Sequence, residues 1–283
     1  MRDFATRDDG GRVIIWAVLV FALTFAGALL LTVGGLNLDQ PPRAASMLPL
    51  FIACIFLTAY APTLAALLVA VRSGGVGTLL RQVATWRVGL GWYAFVLAGP
   101  VVLFVVADLI YAVSGGVQPA AWVVLPSNLA FVGPLVAGSL GEEPGWRGFA
   151  QPRLQTRYSA LRASIIVGII WGTWHLWPAM LPGGLADLTI PDLAQTYIRL
   201  ISTAIIYAWI YNSTNGSLFL VMVAHAGHNL ATELVPIPAA GAPVVPVIVA
   251  LLYLAVATAV VLIAGPRTLS RPLARTWSGT RRV

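Results

Sequence analysis

The chain has no lysine, a single cysteine and few charges of either sign. Charged residues make up 10% of its 283 positions, against roughly 25% in a water-soluble domain. It therefore lacks the polar surface to face water on all sides. The lone Cys54 sits inside an apolar run, which excludes a disulfide framework and a Cys-based metal site and reads as a small buried hydrophobe. Ten-residue alternation of the kind that builds membrane barrels is absent. No sequence repeat relates the two halves, which argues against the inverted-repeat plan of many transporters. No His-Glu-x-x-His helix motif occurs, so the spacing does not demand zinc.

What the chain does have is apolar length. Hydrophobic residues are 59% of it, and the mean hydropathy is +0.86. Apolar stretches fall at 13–33, 48–71, 90–112, 122–141, 161–178, 195–212, 217–235 and 244–264. Each is near the ~20 residues that a helix needs to cross ~30 Å of hydrocarbon. Turn formers separate them: Gly34-Gly35, Pro41-Pro42, Gly74-Gly75, Gly115-Gly116, Pro182-Gly183-Gly184 and Asn215-Gly216. The expected fold is all-α, a single membrane domain over 1–283 with eight transmembrane helices. The first stretch is expected to be a retained span, since its apolar run exceeds the ~7–15 residues of a signal-peptide core.

The net charge of +7 and the pI near 10.2 come entirely from arginine. Nucleic acid is not the expected partner, because these arginines sit in short loops between apolar runs, where a membrane protein carries its topology signal. The N-terminal tail holds Arg2, Arg7 and Arg12, and the linker after the second stretch Arg72, Arg81 and Arg87. The linker after the fourth holds Arg147, Arg153, Arg157 and Arg162, and the C-terminal tail Arg267, Arg271, Arg275, Arg281 and Arg282. The alternate linkers hold only Arg43. Eight spans with both termini in the cytoplasm fit this alternation.

An ionisable side chain inside a bilayer costs a few kcal/mol or more, so each needs a partner or a purpose. Those present are Asp108, Glu142, Glu143, Arg147, His175, Arg199, His225, His228 and Glu233, with Asn229 beside them. All three histidines of the chain are in this set. Asp108 and Arg199, near the outer ends of their spans, are expected to pair with each other or to snorkel to the interface. Glu233 is expected to be solvated, and His228 to have a packing or supporting role.

The others converge. Glu143 and Arg147 are four apart on one helix face, where an ion pair forms, and Glu142 projects about 100° away. His225 and Asn229 share a face by the same spacing. If the fourth span stays helical to about Gln155, Glu142 lies roughly 20 Å from that cytoplasmic end; His175 and His225 lie about 21 Å and about 12 Å into their own spans. Pro144 removes a backbone hydrogen bond beside Glu142 and favours a kink there. A carboxylate, two imidazoles and an amide at one level suit amide hydrolysis. Glu and His take the proton from water, and an imidazole and an Asn amide stabilise the oxyanion. The same Glu142, His175 and His225 could instead hold zinc with an open water position.

These residues resemble the CAAX-processing and bacteriocin-processing (CPBP, or Abi) intramembrane proteases. That family is marked by Glu-Glu-x-x-x-Arg, Phe-x-x-x-His and His-x-x-x-Asn or Asp, each on its own membrane helix. Here the motifs read Glu142-Glu143-Pro144-Gly145-Trp146-Arg147, then Trp171-Gly172-Thr173-Trp174-His175, then His225-Ala226-Gly227-His228-Asn229. The matching core is about 125–235. Trp171 stands where the family has Phe, a change expected to alter packing more than chemistry. The resemblance implies that Glu142 and His175 activate water, that His225 and Asn229 stabilise the oxyanion, and that Glu143 and Arg147 hold the architecture. Family members are described both as metal-dependent and as metal-independent glutamate proteases; the expectation here is the metal-independent form.

The function expected is thus an intramembrane endopeptidase in the plasma membrane, acting on a peptide or lipidated peptide among membrane lipids. A catalytically inert scaffold or immunity protein of the same fold, or a proton-coupled transporter, are the alternatives. The first would tolerate loss of Glu142, and the second would string its polar groups along a path rather than at one level.

Overall fold

The structure is a computed structural model that describes residues 9–36, 42, 44–73, 75–126, 128, 132–181, 188–238, 241 and 243–270. Arg2, Arg7, Pro41, Arg43, Gly74, the Pro182-Gly183-Gly184 linker, Arg271, Arg275, Arg281 and Arg282 lie outside the described residues. Among the described residues every secondary element is helical. This follows from composition: with no water to bond its amides, an apolar chain must satisfy them within each segment.

The helices are α1 (Asp9–Val33), α2 (Leu48–Ala59), α3 (Ala61–Arg72), α4 (Val76–Val83) and α5 (Leu90–Val113). They continue as α6 (Val132–Glu143), α7 (Gln151–Leu154), α8 (Ala160–Trp174), α9 (Ile190–Ser213), α10 (Leu218–Leu234) and α11 (Val245–Ala264). Helix starts are set by local chemistry. Ser159 and Ser217 accept from the backbone N–H three residues on. Thr189 and Asp192 form a reciprocal capping box at α9, satisfying amides that the first turn leaves orphaned. The Ser217 hydroxyl also donates to the Thr85 carbonyl, tying the start of α10 to the loop before α5.

Four helices, α1, α5, α9 and α11, are long and apolar enough to cross a membrane, or five spans if α2 and α3 count together. With large apolar side chains exposed along them, such as Phe25, Leu109 and Leu262, this is a multi-pass membrane protein. The site helices α6, α8 and α10 are shorter, and α10 is sheltered: it packs on α5, α6 and α9, and its Leu218, Leu220, Val221 and Ala231 are fully buried.

Two expected spans differ in form. The second is broken at Tyr60, and α2 and α3 meet at a 75° bend. Pro62 in the first turn of α3 is the cause, since it offers no N–H and its ring clashes with a preceding helical turn. The Pro62 carbonyl accepts from Trp16 Nε1 of α1 at 3.0 Å. Thr63 Oγ1 donates to the Leu140 carbonyl of α6 at 2.9 Å. In the fourth expected span, residues 122–126 are not helical, and the described helix is α6, Val132–Glu143. The apolar run ahead of it is interrupted by Pro126, and Val124 N–H donates to the Leu234 carbonyl at the end of α10. Beyond Glu143 the chain stays helical to Leu154, but Pro144–Ala150 is a π-helix. The disturbance expected at Pro144 is therefore a widened turn, a form common at functional sites.

The α2–α3 bend presses onto the glycines that flank the paired glutamates. A Cβ on Gly141 would stand 2.6 Å from the Ala59 carbonyl oxygen, and one on Gly145 would be closer still to that of Pro62. Close approach of helices at small residues is how membrane bundles gain packing, and here backbone faces backbone, so neither side yields cheaply. Gly145→Ala is expected to lower the melting temperature and monodisperse yield in detergent, by about 1–3 kcal/mol or more of overpacking. Gly133→Ala in α6, where nothing lies within 4 Å, should be neutral or slightly stabilising. Equal melting of the two variants would remove the close-packed elbow from the account.

Candidate active site

Three helical segments bring the site together. Glu142 and Glu143 end α6, and Arg147 lies one turn on, inside the π-helix. His225 comes from the middle of α10, and His175 caps the end of α8. Glu143 and Arg147 are fully buried. Arg147 Nη1 donates to both Glu143 oxygens, at 3.1 and 3.2 Å, so the ion pair expected from their spacing is present. The guanidinium is covered by two rings, with its carbon 4.2 Å from the Trp171 centroid and 5.0 Å from that of Tyr207. Such cation–π contacts count most where water is excluded.

The same carboxylate holds the imidazole. His225 Nδ1 donates to Glu143 Oε1 at 2.7 Å, which turns Nε2 toward Glu142 Oε1, 3.9 Å away. His225 thus lies between the two glutamates, one on each ring nitrogen. Glu142 is buried on its other side. Its Oε2 accepts from Trp171 Nε1 at 2.6 Å and from Trp146 Nε1 at 3.3 Å, leaving Oε1 without a hydrogen bond among the described residues. Buried indoles need an acceptor, and here both point to the catalytic candidate.

His175 is half-buried. Its Nδ1 donates to the Trp171 carbonyl at 3.0 Å, fixing the tautomer whose Nε2 keeps a lone pair. Its ring packs edge-on against Trp171 and Trp174, at 5.3 and 5.0 Å between centroids. Asn229 lies half-buried one turn beyond His225, against α6; its Nδ2 is 3.6 Å from where a Cβ on Gly138 would stand. Glu142, Glu143, Arg147 and His225 are therefore in mutual contact. His175 joins them through Trp171, and Asn229 adjoins them at the next turn.

Several expectations change. Asp108 and Arg199 do not pair. Asp108 is fully buried with no hydrogen bond to either oxygen among the described residues, whereas Arg199 Nη1 meets His228 Nε2 at 3.2 Å. Depth along a span says little about which faces of two helices meet, and here the α9 face turns to α10. His228, besides packing against Phe104, bonds Tyr253 OH through Nδ1 at 2.6 Å. Trp171 does more than pack, for its indole N–H makes a hydrogen bond to Glu142 that phenylalanine lacks the group to make. Tyr207, on α9, was not singled out from the sequence. Its ring lies 6.2 Å from that of His225, and only the fold brings α9 to α10. Glu233 is exposed, as expected.

The donor set also bears on zinc. Among the described residues no three His, Cys, Asp or Glu side chains are disposed to hold a metal ion. Glu142, His175 and His225 as placed do not form such a group.

The fold and site define a class: an all-helical, multi-pass membrane protein with a buried carboxylate–imidazole centre. Residues 120–231, which contain all three motifs, match the sequence model of the family described as type II CAAX prenyl endopeptidase Rce1-like. The chain is also 32% identical over 108 residues to CAAX prenyl protease 2 of Methanococcus maripaludis, covering 36% of this chain and 40% of that one. Over this core the chain is similar to the CAAX-processing proteases that its motifs resemble. It spans about two fifths of the length of the curated relative.

Breaking the buried pair from one side leaves a charge without a partner in a dry setting, a loss of about 3–5 kcal/mol. Arg147→Ala is expected to lower the melting temperature and the folded yield sharply. Glu143→Gln combined with Arg147→Met, which keeps volume and removes both charges, should recover part of that loss. Wild-type melting in Arg147→Ala with weakened peptide binding would move Arg147 from the scaffold to the binding site.

Proposed function

We propose that the chain is an intramembrane endopeptidase that cleaves peptides near their C-termini by water activated at Glu142 and His175, with residues about 125–235 as its protease core. The observation that carries this reading is the state of Glu142. One oxygen is fixed by Trp171, and the other is open and faces His225 Nε2. A carboxylate so oriented is placed to take a proton from water, and the lone pair on His175 Nε2 can share that task. The water oxygen then bonds to the scissile carbonyl carbon, and the oxyanion that forms is met by N–H donors from His225 and Asn229. When the C–N bond breaks, the proton taken from water passes to the leaving amine.

Glu143 and Arg147 do not touch the reacting atoms in this scheme; they hold His225 in register. The family description and the relative's name both refer to prenyl CAAX substrates, so a prenylated C-terminal peptide is the first substrate to test. We propose eight spans, counting the bent α2–α3 pair as one, with both termini in the cytoplasm of a plasma membrane protein. The arginine asymmetry supports this topology.

Glu142→Gln keeps size and removes the base, so hydrolysis of a quenched prenylated peptide should fall by a factor of about 10² or more while the protein stays folded. His175→Ala should do likewise, and the double variant should lose little beyond either single one, since groups acting as a unit are non-additive. Chelator treatment should leave the rate unchanged; loss of activity restored by zinc would replace the metal-independent scheme. Full activity in Glu142→Gln would favour an inert role for that residue.

Topology is checked separately. Reporter fusions after Arg87 and Arg162 should read cytoplasmic, and fusions after Gln118 and Ile237 external. A cytoplasmic reading at Gln118 would show that α2–α3 re-enters its own side of the membrane rather than crossing it.

A further inference from the structure

Beside the site, one face of α9 carries three polar groups that the chemistry above does not use. Arg199, Thr203 and Tyr207 are four residues apart in succession, so they form a stripe along that face. Each lacks the partner its type normally finds. Arg199 has no carboxylate within ion-pair distance among the described residues. Thr203 is 2% exposed, and its hydroxyl makes no hydrogen bond there. Elsewhere in this chain, helical threonines bond back to the carbonyl four residues earlier, as Thr24, Thr58, Thr214 and Thr258 do. Tyr207 is 4% exposed, and its hydroxyl is likewise without a partner. Buried hydroxyls are seldom left so, and here two of them follow, on one face, an arginine whose printed partner is an imidazole rather than a carboxylate.

The stripe has direction. At its inner end the Tyr207 ring covers Arg147 and neighbours His225. At its outer end the Arg199 guanidinium reaches His228, the residue before Asn229. Arg199 is also held in place. It donates to His228 Nε2, whose ring then donates from Nδ1 to Tyr253 OH, so the guanidinium is braced by a neutral imidazole that offers no counter-charge. A braced cation without an anion beside a peptidase site suits a carboxylate. The two hydroxyls between it and the reacting centre suit the amides of an extended peptide.

We propose that Arg199, Thr203 and Tyr207 form a subsite that binds a carboxylate-bearing segment of the peptide substrate, with Arg199 pairing the carboxylate. This rests on the peptidase reading for the identity of the ligand, not for the existence of the subsite. The carboxylate has two sources, the chain terminus or an acidic side chain.

The test uses the full-length protein in detergent and three dye-labelled forms of one prenylated peptide. These are the free acid, the C-terminal amide, and the amide with Glu in the last position. Binding is measured by fluorescence anisotropy, and cleavage in parallel. The free acid should bind about tenfold or more tighter than the amide, the worth of one charge-assisted pair. In Arg199→Gln that preference should vanish, with the amide bound as before. Thr203→Val and Tyr207→Phe, which keep shape, should weaken all three peptides without changing the acid-to-amide ratio. Tight binding of the Glu-bearing amide, lost in Arg199→Gln, supports the subsite and assigns its anion to a side chain.

Equal binding of acid and amide by the wild type, a preference that survives Arg199→Gln, or no binding of any form overturns the proposal. Should Arg199→Gln not fold, Arg199→Lys, which keeps the charge but loses the guanidinium fork, serves instead and should reduce the preference. Binding with the acid preference but without cleavage would retire the peptidase reading and leave the subsite. Cleavage without the preference would do the reverse.

Discussion

The structure turns on a buried carboxylate that serves two cations or potential cations at once. Glu143 accepts from Arg147 with both oxygens and from His225 with one of them, all within a space closed to solvent. A charge in such a setting is costly unless paired and hydrogen-bonded, so this cluster tolerates no partial version. The guanidinium in turn lies against Trp171 and Tyr207, which fixes where α8 and α9 stand relative to α6. The pair ties together the four helices that carry the site, although it takes no part in the proposed chemistry.

From this follows a division of labour between adjacent residues of one motif. On a regular helix neighbouring side chains diverge by about 100°, and Glu142 and Glu143 do point apart, yet His225 touches one and faces the other. The imidazole achieves this by presenting its two nitrogens in opposite directions. Glu142 also depends on indole donors. Trp171 is bonded through Nε1 to Glu142, through its carbonyl to His175 and through its ring to Arg147. A position that looks like a packing aromatic is thereby in contact with three members of the site.

The outer helices and the inner ones meet different solvents. α1, α5 and α11 expose apolar side chains along their length, and their sequences are nearly devoid of charge. α6, α8 and α10 are shorter, and the polar groups they carry lie where neighbouring helices cover them, Glu143 and Ser164 completely. The π-helical turn at Pro144 and the bend at Tyr60 both fall where these layers touch. Irregular backbone is tolerated at membrane depth only when it is buried in protein. Both irregularities fall at prolines whose neighbourhoods are used: the Pro62 carbonyl accepts from Trp16, and the widened turn after Pro144 carries Arg147.

The sequence by itself determined the all-helical membrane class, because apolar length and backbone satisfaction admit little else. It also determined the Glu143–Arg147 pair, because four-residue spacing on a helix is a local distance. The motifs Glu142-Glu143, His175 and His225 were legible as a set, since ionisable groups in an apolar chain stand out by their cost. Only the tertiary structure decided that Arg199 meets His228 rather than Asp108, that Trp171 donates to Glu142, and that Tyr207 borders the site. Each depends on which faces of separate helices turn toward one another, and each helix has more than one face apolar enough to pack, so periodicity holds no record of the choice. The break at Tyr60 and the non-helical stretch 122–126 were hidden for a related reason. Hydropathy measures how much apolar chain is available, while the path of that chain is set by prolines and by the carbonyls that neighbouring helices leave to be met.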